Sequence, residues 1–276
     1  MGSRTKIDWC DASWNPVTGC LHGCEYCYAR RIAERFGARE IYDPECQCQR
    51  HLIERGMLTG TGKPLELDYP WEQKNKDGSI TNAAYPFGFE PTFHRYKLDE
   101  PLHWKKPRNI FVCSMADLFG DWVPDEWIEQ VFEACEAAPQ HRYLFLTKNP
   151  KRYVALYRNG ILRVRDSFWY GSTITGANEP FFFSRVPDDN PHTFCSIEPI
   201  LEPVGTMQVM PDWVIVGAET SNRKGKVVPQ KEWIDEIAAE CKRRRKPLFM
   251  KDSLRGLMGA DFRQEFPWIV GGSELF

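Results

Sequence analysis

Apolar residues run along this chain in two rhythms. Short, nearly unbroken runs occur at "NIFVCSM" (109 to 115), "RYLFLT" (142 to 147), "FWYGSTI" (168 to 174), "TFCSIEPI" (193 to 200), "WVIVGAE" (213 to 219) and "PLFMKD" (247 to 252). Their length and density suit parallel strands buried on both faces. Between them, "PDEWIEQVFEACEAA" (124 to 138) and "QKEWIDEIAAECKRR" (230 to 244) carry helical spacing, the first with a proline start and an acidic first turn. Near the amino terminus, "SWNPV" (13 to 17) reads as a first strand and "YCYARRIAERFG" as a helix stopped at Gly37. Strand followed by helix, repeated over about seven strands, exceeds a minimal flavodoxin-like sheet and predicts an α/β fold, a complete or partial (β/α) TIM-like barrel. The interruption lies between about 40 and 108, where "TGTGKP", "NKDGS" and "YPFGFEP" punctuate an irregular pattern too long for an ordinary connection. This segment is expected to be an insertion in a single domain spanning 1–276.

Polar residues gather at the ends of the apolar runs: Ser114 and Asp117, Thr147 and Lys148, Ser172 and Thr173, Ser196 and Glu198, Glu219 and Thr220, Lys251 and Asp252. In a parallel barrel these positions ring the carboxyl-terminal mouth, where such folds place their sites. Glu219 follows "WVIV" and two small residues, so its burial without a partner is costly and a ligand contact is expected there.

Composition narrows the classes. With 276 residues and 42% hydrophobic content, the chain has ample material for a large core. A formal charge of −2 gives no global electrostatic case for nucleic acid or an anionic membrane. No apolar run reaches membrane-spanning length and the amino terminus lacks a signal-peptide core, so a cytoplasmic, non-membrane protein is expected. Ten cysteines in that setting are reduced or metal-bound rather than paired. Cys113 and Cys195, inside apolar runs, read as small buried hydrophobes.

Three cysteines are different. "GCLHGCEYCYAR" sets Cys20, Cys24 and Cys27 within eight positions, on a loop between the first strand and the first helix. A structural zinc site takes four protein ligands, usually as two separated pairs, and no second CxxC or HxxxH pair follows. A zinc knuckle here has to borrow Cys10, Cys46 or Cys48, which makes a zinc-stabilised, non-catalytic phage or bacterial binding protein the alternative reading. Three thiolates suit an iron-sulfur cube that leaves one iron open. Cys46, Cys48 and His51 form a weaker second constellation with auxiliary metal binding as one outcome.

The CxxxCxxC spacing, with Tyr26 before the third cysteine, resembles the signature of the radical S-adenosylmethionine (radical SAM) superfamily. The blocks "WCDASWNPVTGC", "KLDEPLHWKKPRNIFVCSMADLF", "LFLTKNPKRY", "SIEPILEP" and "WVIVGAET" are similar to a largely uncharacterised phage and bacterial branch of it. The resemblance implies a barrel of the radical SAM type and a [4Fe-4S] cluster on Cys20, Cys24 and Cys27. It further implies S-adenosylmethionine on the open iron, cleavage to a 5′-deoxyadenosyl radical, and an external electron donor of flavodoxin or ferredoxin type. By the same resemblance Tyr26 packs near the adenine or shields the cluster and Ser114 and Asp117 contact the SAM amine; by its chemistry Lys148 suits the SAM carboxylate and the acid Glu198 the ribose hydroxyls, with Thr173 and the buried Glu219 as further cofactor contacts. Cys241, on the late helix, is a candidate hydrogen-atom donor and Lys251 a second catalytic candidate. The chain departs from the branch at Gly217, Ala218 and Glu219 and at "MKDSLRG", which leaves the role of Lys251 open. The substrate is not specified. Nucleic acid is a candidate because basic groups sit at "ARRIAERFGAR", "WKKPR" and "KRRRK", and Trp71, Tyr85, Phe87, Phe89 and Tyr96 offer rings for base stacking.

Overall fold

A computed structural model of the chain describes residues 5–37, 41–42, 65–177, 179, 192–207, 209–270 and 273–274. Seven parallel strands form its centre: β1 (Ala12–Trp14), β2 (Asn109–Val112), β3 (Arg142–Thr147), β4 (Phe168–Ile174), β5 (His192–Ile197), β6 (Trp213–Val216) and β7 (Leu248–Met250). Their spatial order follows their chain order, and the sheet curls into a half-barrel, a partial TIM-like arrangement. Helices α1 (Tyr28–Phe36), α2 (Asp125–Ala137), α3 (Lys151–Arg158) and α4 (Lys231–Arg243) follow β1, β2, β3 and β6.

Alternation along each strand divides the core in two. On the convex side, Ile110, Val112, Tyr143, Phe145, Phe168 and Tyr170 pack against α2 and α3. Cys195, Val214, Val216, Leu248 and Met250 meet Ile234, Ile237 and Cys241 of α4 on the same side. The concave side is an aromatic plug of Trp9, Phe111, Trp169, Phe194, Trp213 and Phe249 with Trp268. Gly171 makes room for it, since a Cβ there would stand 2.3 Å from the Phe194 ring.

Two sequence expectations are corrected at strand ends. "SWNPV" is not one strand. β1 stops at Trp14, and Val17–Thr18 instead pairs antiparallel with Thr92–His94. The break falls at Asn15-Pro16, where the Asn15 side chain accepts from Met115 N–H (2.9 Å) and Pro16 has no N–H to offer a ladder. β2 stops at Val112 because Cys113 turns the chain with φ 59°.

The insertion is also more regular than its sequence suggests. Its described part contributes two three-stranded sheets, one joining Val17–Thr18, Thr92–His94 and Leu65–Leu67, the other Ile41–Tyr42, Glu72–Lys74 and Ile80–Asn82. A separate small core of Ile41, Leu67, Trp71 and Phe87 holds the second in place. The first sheet matters more for function, because it fixes the chain immediately before the cysteines.

Candidate functional site

Moving up the concave face toward the carboxyl ends, the same alternating positions change from aromatic to polar: Trp169, Gly171, Thr173 on β4; Phe194, Ser196, Glu198 on and after β5; Trp213, Ile215, Gly217, Glu219 on and after β6; Phe249, Lys251 on and after β7. The change opens a cavity of about 550 Å³ above the plug, with Trp9 and Phe111 as its floor. Cys20, Cys24 and Cys27 line it, together with Tyr26, Ser114, Asp117, Lys148, Thr173, Glu198, Glu219 and Lys251. Eleven residues picked from strand-end position and cysteine spacing thus meet in one place.

The cysteine loop is held from both ends. Gly19 N–H donates to Met115 O (2.9 Å) and Cys20 N–H to Phe89 O (3.2 Å). Gly19 has φ +86°, and a Cβ there would lie 2.1 Å from Glu90 O, so only glycine fits this crossing. At the other end Cys27 caps α1, its Sγ accepting from Arg30 N–H (3.3 Å), which sets that sulfur at the positive end of the helix dipole. Arg30 reaches back to Cys20 O (3.2 Å), and Tyr28 donates its hydroxyl to Ser114 O (2.8 Å). The Cys20 thiol is pushed up to about 12 by burial, with Asp117 and the neighbouring Cys27 and Cys24 adding to the shift.

The polar residues differ in how much of their chemistry is free. Asp117 is buried and its carboxylate accepts from Phe119 N–H (3.0 Å), the Thr147 hydroxyl (2.7 Å), Lys148 N–H (2.9 Å) and His22 Nε2 (2.7 Å). Burial alone would raise its pKa, but His22, the Lys148 amide and Thr147 outweigh it and hold the group below its ordinary value. Ser114 donates its hydroxyl to Asn15 Oδ1 (3.1 Å). Both oxygens of Asp117 are thus taken by protein donors, whereas the Ser114 hydroxyl oxygen keeps its capacity to accept. Lys148 is exposed, with its ammonium 6.0 Å from the Tyr26 ring centre and no carboxylate partner among the described residues. Thr173 is buried at the cavity wall.

Glu219 is buried, and its Oε1 accepts from Arg223 Nε (2.8 Å) and from the Ser221 hydroxyl, while its Oε2 has no hydrogen-bond partner. Burial pushes its pKa up, but Arg223 and Ser221 prevail and lower it, keeping a carboxylate at the cavity wall. Lys251 pairs with Glu198 by laying its stem across Gly217, where a Cβ would stand 2.8 Å from Lys251 Cδ. Cys241 does not join the site. It packs in the convex core between α4 and the sheet, so its expected hydrogen-atom-donor role has no access to the cavity.

Residues 4–256 match one family model, described as "Protein of unknown function (DUF5131)". The chain belongs to the DUF5131 family. The match runs from before β1 through β7 and so takes in every cavity residue of this DUF5131 chain. No curated protein and no solved structure matches it.

Among the described residues no group of three or more His, Cys, Asp or Glu side chains is gathered to hold a metal ion. Of the expected fourth zinc ligands, Cys10 donates its thiol to Ile7 O (3.9 Å), and Cys46 and Cys48, with His51, lie outside the described residues. The support for nucleic acid also weakens. Trp71, Phe87 and Phe89 are buried, Tyr96 hydrogen-bonds His94, and in the late basic run Arg243 and Arg244 pair with Glu240 and Lys246 with Asp212. No helix among the described residues is long and apolar enough to cross a membrane.

Sequence reasoning overlooked Asn15 and Arg223, and it weighed His22 only as a metal ligand, poorly placed to ligate beside both neighbouring cysteines. His22 carried a signal, being the one polar ring between the first two cysteines of the triplet.

Proposed function

We propose that this chain is a radical SAM enzyme whose Cys20, Cys24 and Cys27 hold a [4Fe-4S] cluster. The observation that carries the reading is the convergence of the three thiols and the strand-end polar ring on one cavity. When bound and reduced, such a cluster supplies the electron that cleaves S-adenosylmethionine to a 5′-deoxyadenosyl radical.

What the chain does follows from its own residues. The three thiols face one cavity from a loop fixed at both ends. Lys148, with no acid partner among the described residues, is available to the carboxylate of a bound cofactor, and Tyr26 beside it offers a ring face. Glu219 presents a carboxylate with one oxygen unpartnered, suited to hydroxyl or amine donors. Thr173, Glu198 and Lys251 complete the wall, and the plug of Trp9, Phe111 and Phe194 closes the barrel below against water. An external one-electron donor of flavodoxin or ferredoxin type is part of the proposal.

Anaerobic purification with iron and sulfide analysis tests it. A brown protein with iron-sulfur absorbance, forming 5′-deoxyadenosine and methionine from S-adenosylmethionine under a strong reductant, is expected. Alanine at Cys20, Cys24 or Cys27 is expected to abolish both colour and cleavage. A colourless protein that carries zinc and no iron overturns the proposal.

A further inference from the structure

Asp117 connects three parts of the chain. Phe119 N–H belongs to its own turn after β2, and the Thr147 hydroxyl and Lys148 N–H belong to the end of β3. The fourth contact, His22, comes from the cysteine loop, midway between Cys20 and Cys24. Since the Asp117 carboxyl is held below its ordinary value, it is ionised at neutral pH and accepts, so His22 Nε2–H donates. The His22 ring is set edge-on against Trp122 with 4.9 Å between centres. Trp122 in turn packs on Gly120, where a Cβ would stand 2.4 Å from the indole.

Other bonds hold the loop at its ends, Gly19 to Met115, Cys20 to Phe89 and Arg30, and Cys27 to Arg30, while beyond Cys24 the Cys27 N–H donates to Cys24 O (3.2 Å) and Arg223 pairs with Glu25 (3.6 Å). Between Cys20 and Cys24, the bond from His22 is the loop's only hydrogen bond to another element among the described residues. Without it, the ring contact of His22 with Trp122 is what remains to hold Leu21 to Gly23 between two of the three thiols, among the described residues. Gly23, with φ +71°, adds a flexible position to that stretch.

We propose that His22 is a positioning residue. Latched to Asp117, it presses the Cys20–Cys24 stretch onto the ends of β2 and β3, so that the thiols reach the cavity in a fixed relative arrangement. Asp117 serves this latch rather than a ligand. The cluster role of the thiols rests on the proposed function, whereas the latch is a property of the loop itself. Asp117 keeps three donors from the strand ends when His22 is removed, so His22 variants are expected to fold.

The full chain is compared with His22→Ala and His22→Gln, whose amide reaches Asp117 as a donor but does not ligate iron. Hydrogen exchange of the peptide covering 19–27 is followed in the metal-free proteins. Iron and sulfide content and the electron paramagnetic resonance spectrum are followed after anaerobic reconstitution. Loss of a charge-assisted bond predicts exchange about tenfold or more faster in His22→Ala, with β3 unchanged. Lower cluster content and a broadened spectrum are expected alongside, and His22→Gln is expected to restore all three readouts. Wild-type exchange in His22→Ala overturns the latch. So does a cluster lost equally in His22→Ala and His22→Gln with exchange unaffected in both, which marks His22 as a ligand. A wild-type chain that takes up no iron defeats the cluster reading, and the exchange comparison still decides the latch.

Discussion

Adding one methyl group at two concave glycines separates the rigid part of the barrel from its adaptable part. At Gly171 a Cβ meets three atoms of the Phe194 ring at 2.3, 2.5 and 2.6 Å. Phe194 is 2% exposed and packed at a tilt between Trp9 and Trp213, with ring centres 6.1 and 5.9 Å away, so it has no open direction in which to retreat. Overpacking of this kind costs about 1–3 kcal/mol, against about 0.4–1 kcal/mol gained from a stiffer unfolded chain. At roughly 2–4 °C per kcal/mol for a protein of this size, Gly171→Ala is expected to lower Tm by several degrees. At Gly217 the three atoms nearest the added Cβ all belong to the Lys251 stem, at 2.8, 3.2 and 3.3 Å, and that stem can rotate. Gly217→Ala is therefore expected to leave Tm within about 2 °C of wild type while displacing Lys251 from Glu198. Differential scanning calorimetry of both variants checks this. Equal destabilisation by the two substitutions, or a wild-type Tm for Gly171→Ala, refutes the division into a packed plug and a yielding polar rim.

His94, buried beside Thr18 and Tyr96, has its pKa lowered to about 3 by burial, with Lys97 contributing. The unfolded chain takes up this proton below about pH 6.5 and the folded one does not, so stability rises with pH across that window and falls by up to about 1.4 kcal/mol per unit as pH drops from 6.5 toward 3. His94→Gln is expected to flatten this acid limb in urea titrations at pH 4 to 6.5, and an unchanged slope contradicts the assignment. Glu219→Gln is expected to weaken S-adenosylmethionine binding by about tenfold or more and, because Arg223 and Ser221 hold its other oxygen, to lower Tm as well, whereas Asp117→Asn, both of whose oxygens are taken by protein donors, is expected to lower Tm with little direct effect on binding. Isothermal calorimetry paired with thermal melts distinguishes the two, and matching behaviour of both variants refutes the separation.

The strands that were legible in sequence are those for which pattern alone decides. Arg142–Thr147 and Phe168–Ile174 agree residue for residue with their apolar runs, because a strand buried on both faces has nothing polar to blur its limits. Where an end is set by a contact distant in sequence, the reading slipped, as at Asn15, which is committed to Met115 a hundred residues on. The strands of the insertion are two or three residues long, too short to show a period. Its aromatics looked available for stacking, yet sequence does not say which face of Trp71 or Phe87 meets the protein. The cavity was legible because strand-end position and side-chain parity together determine what faces the mouth. The division of labour within it was not, since Asp117 looks the same in sequence whether it faces a ligand or His22.

Each of the seven strands after the first pairs with the one that precedes it in the sheet's chain order, so the sheet grows across its width in the order of synthesis. The thiols emerge with β1, and the last wall of the cavity, carrying Lys251, forms only when β7 leaves the ribosome. Until then the cysteine loop stands at the rim of an unfinished sheet, open from the side that Lys251 and Glu198 later occupy. On the proposed function, a carrier delivering a cluster would have its widest approach to these sulfurs during translation, and a narrower one through the mouth of the cavity afterwards.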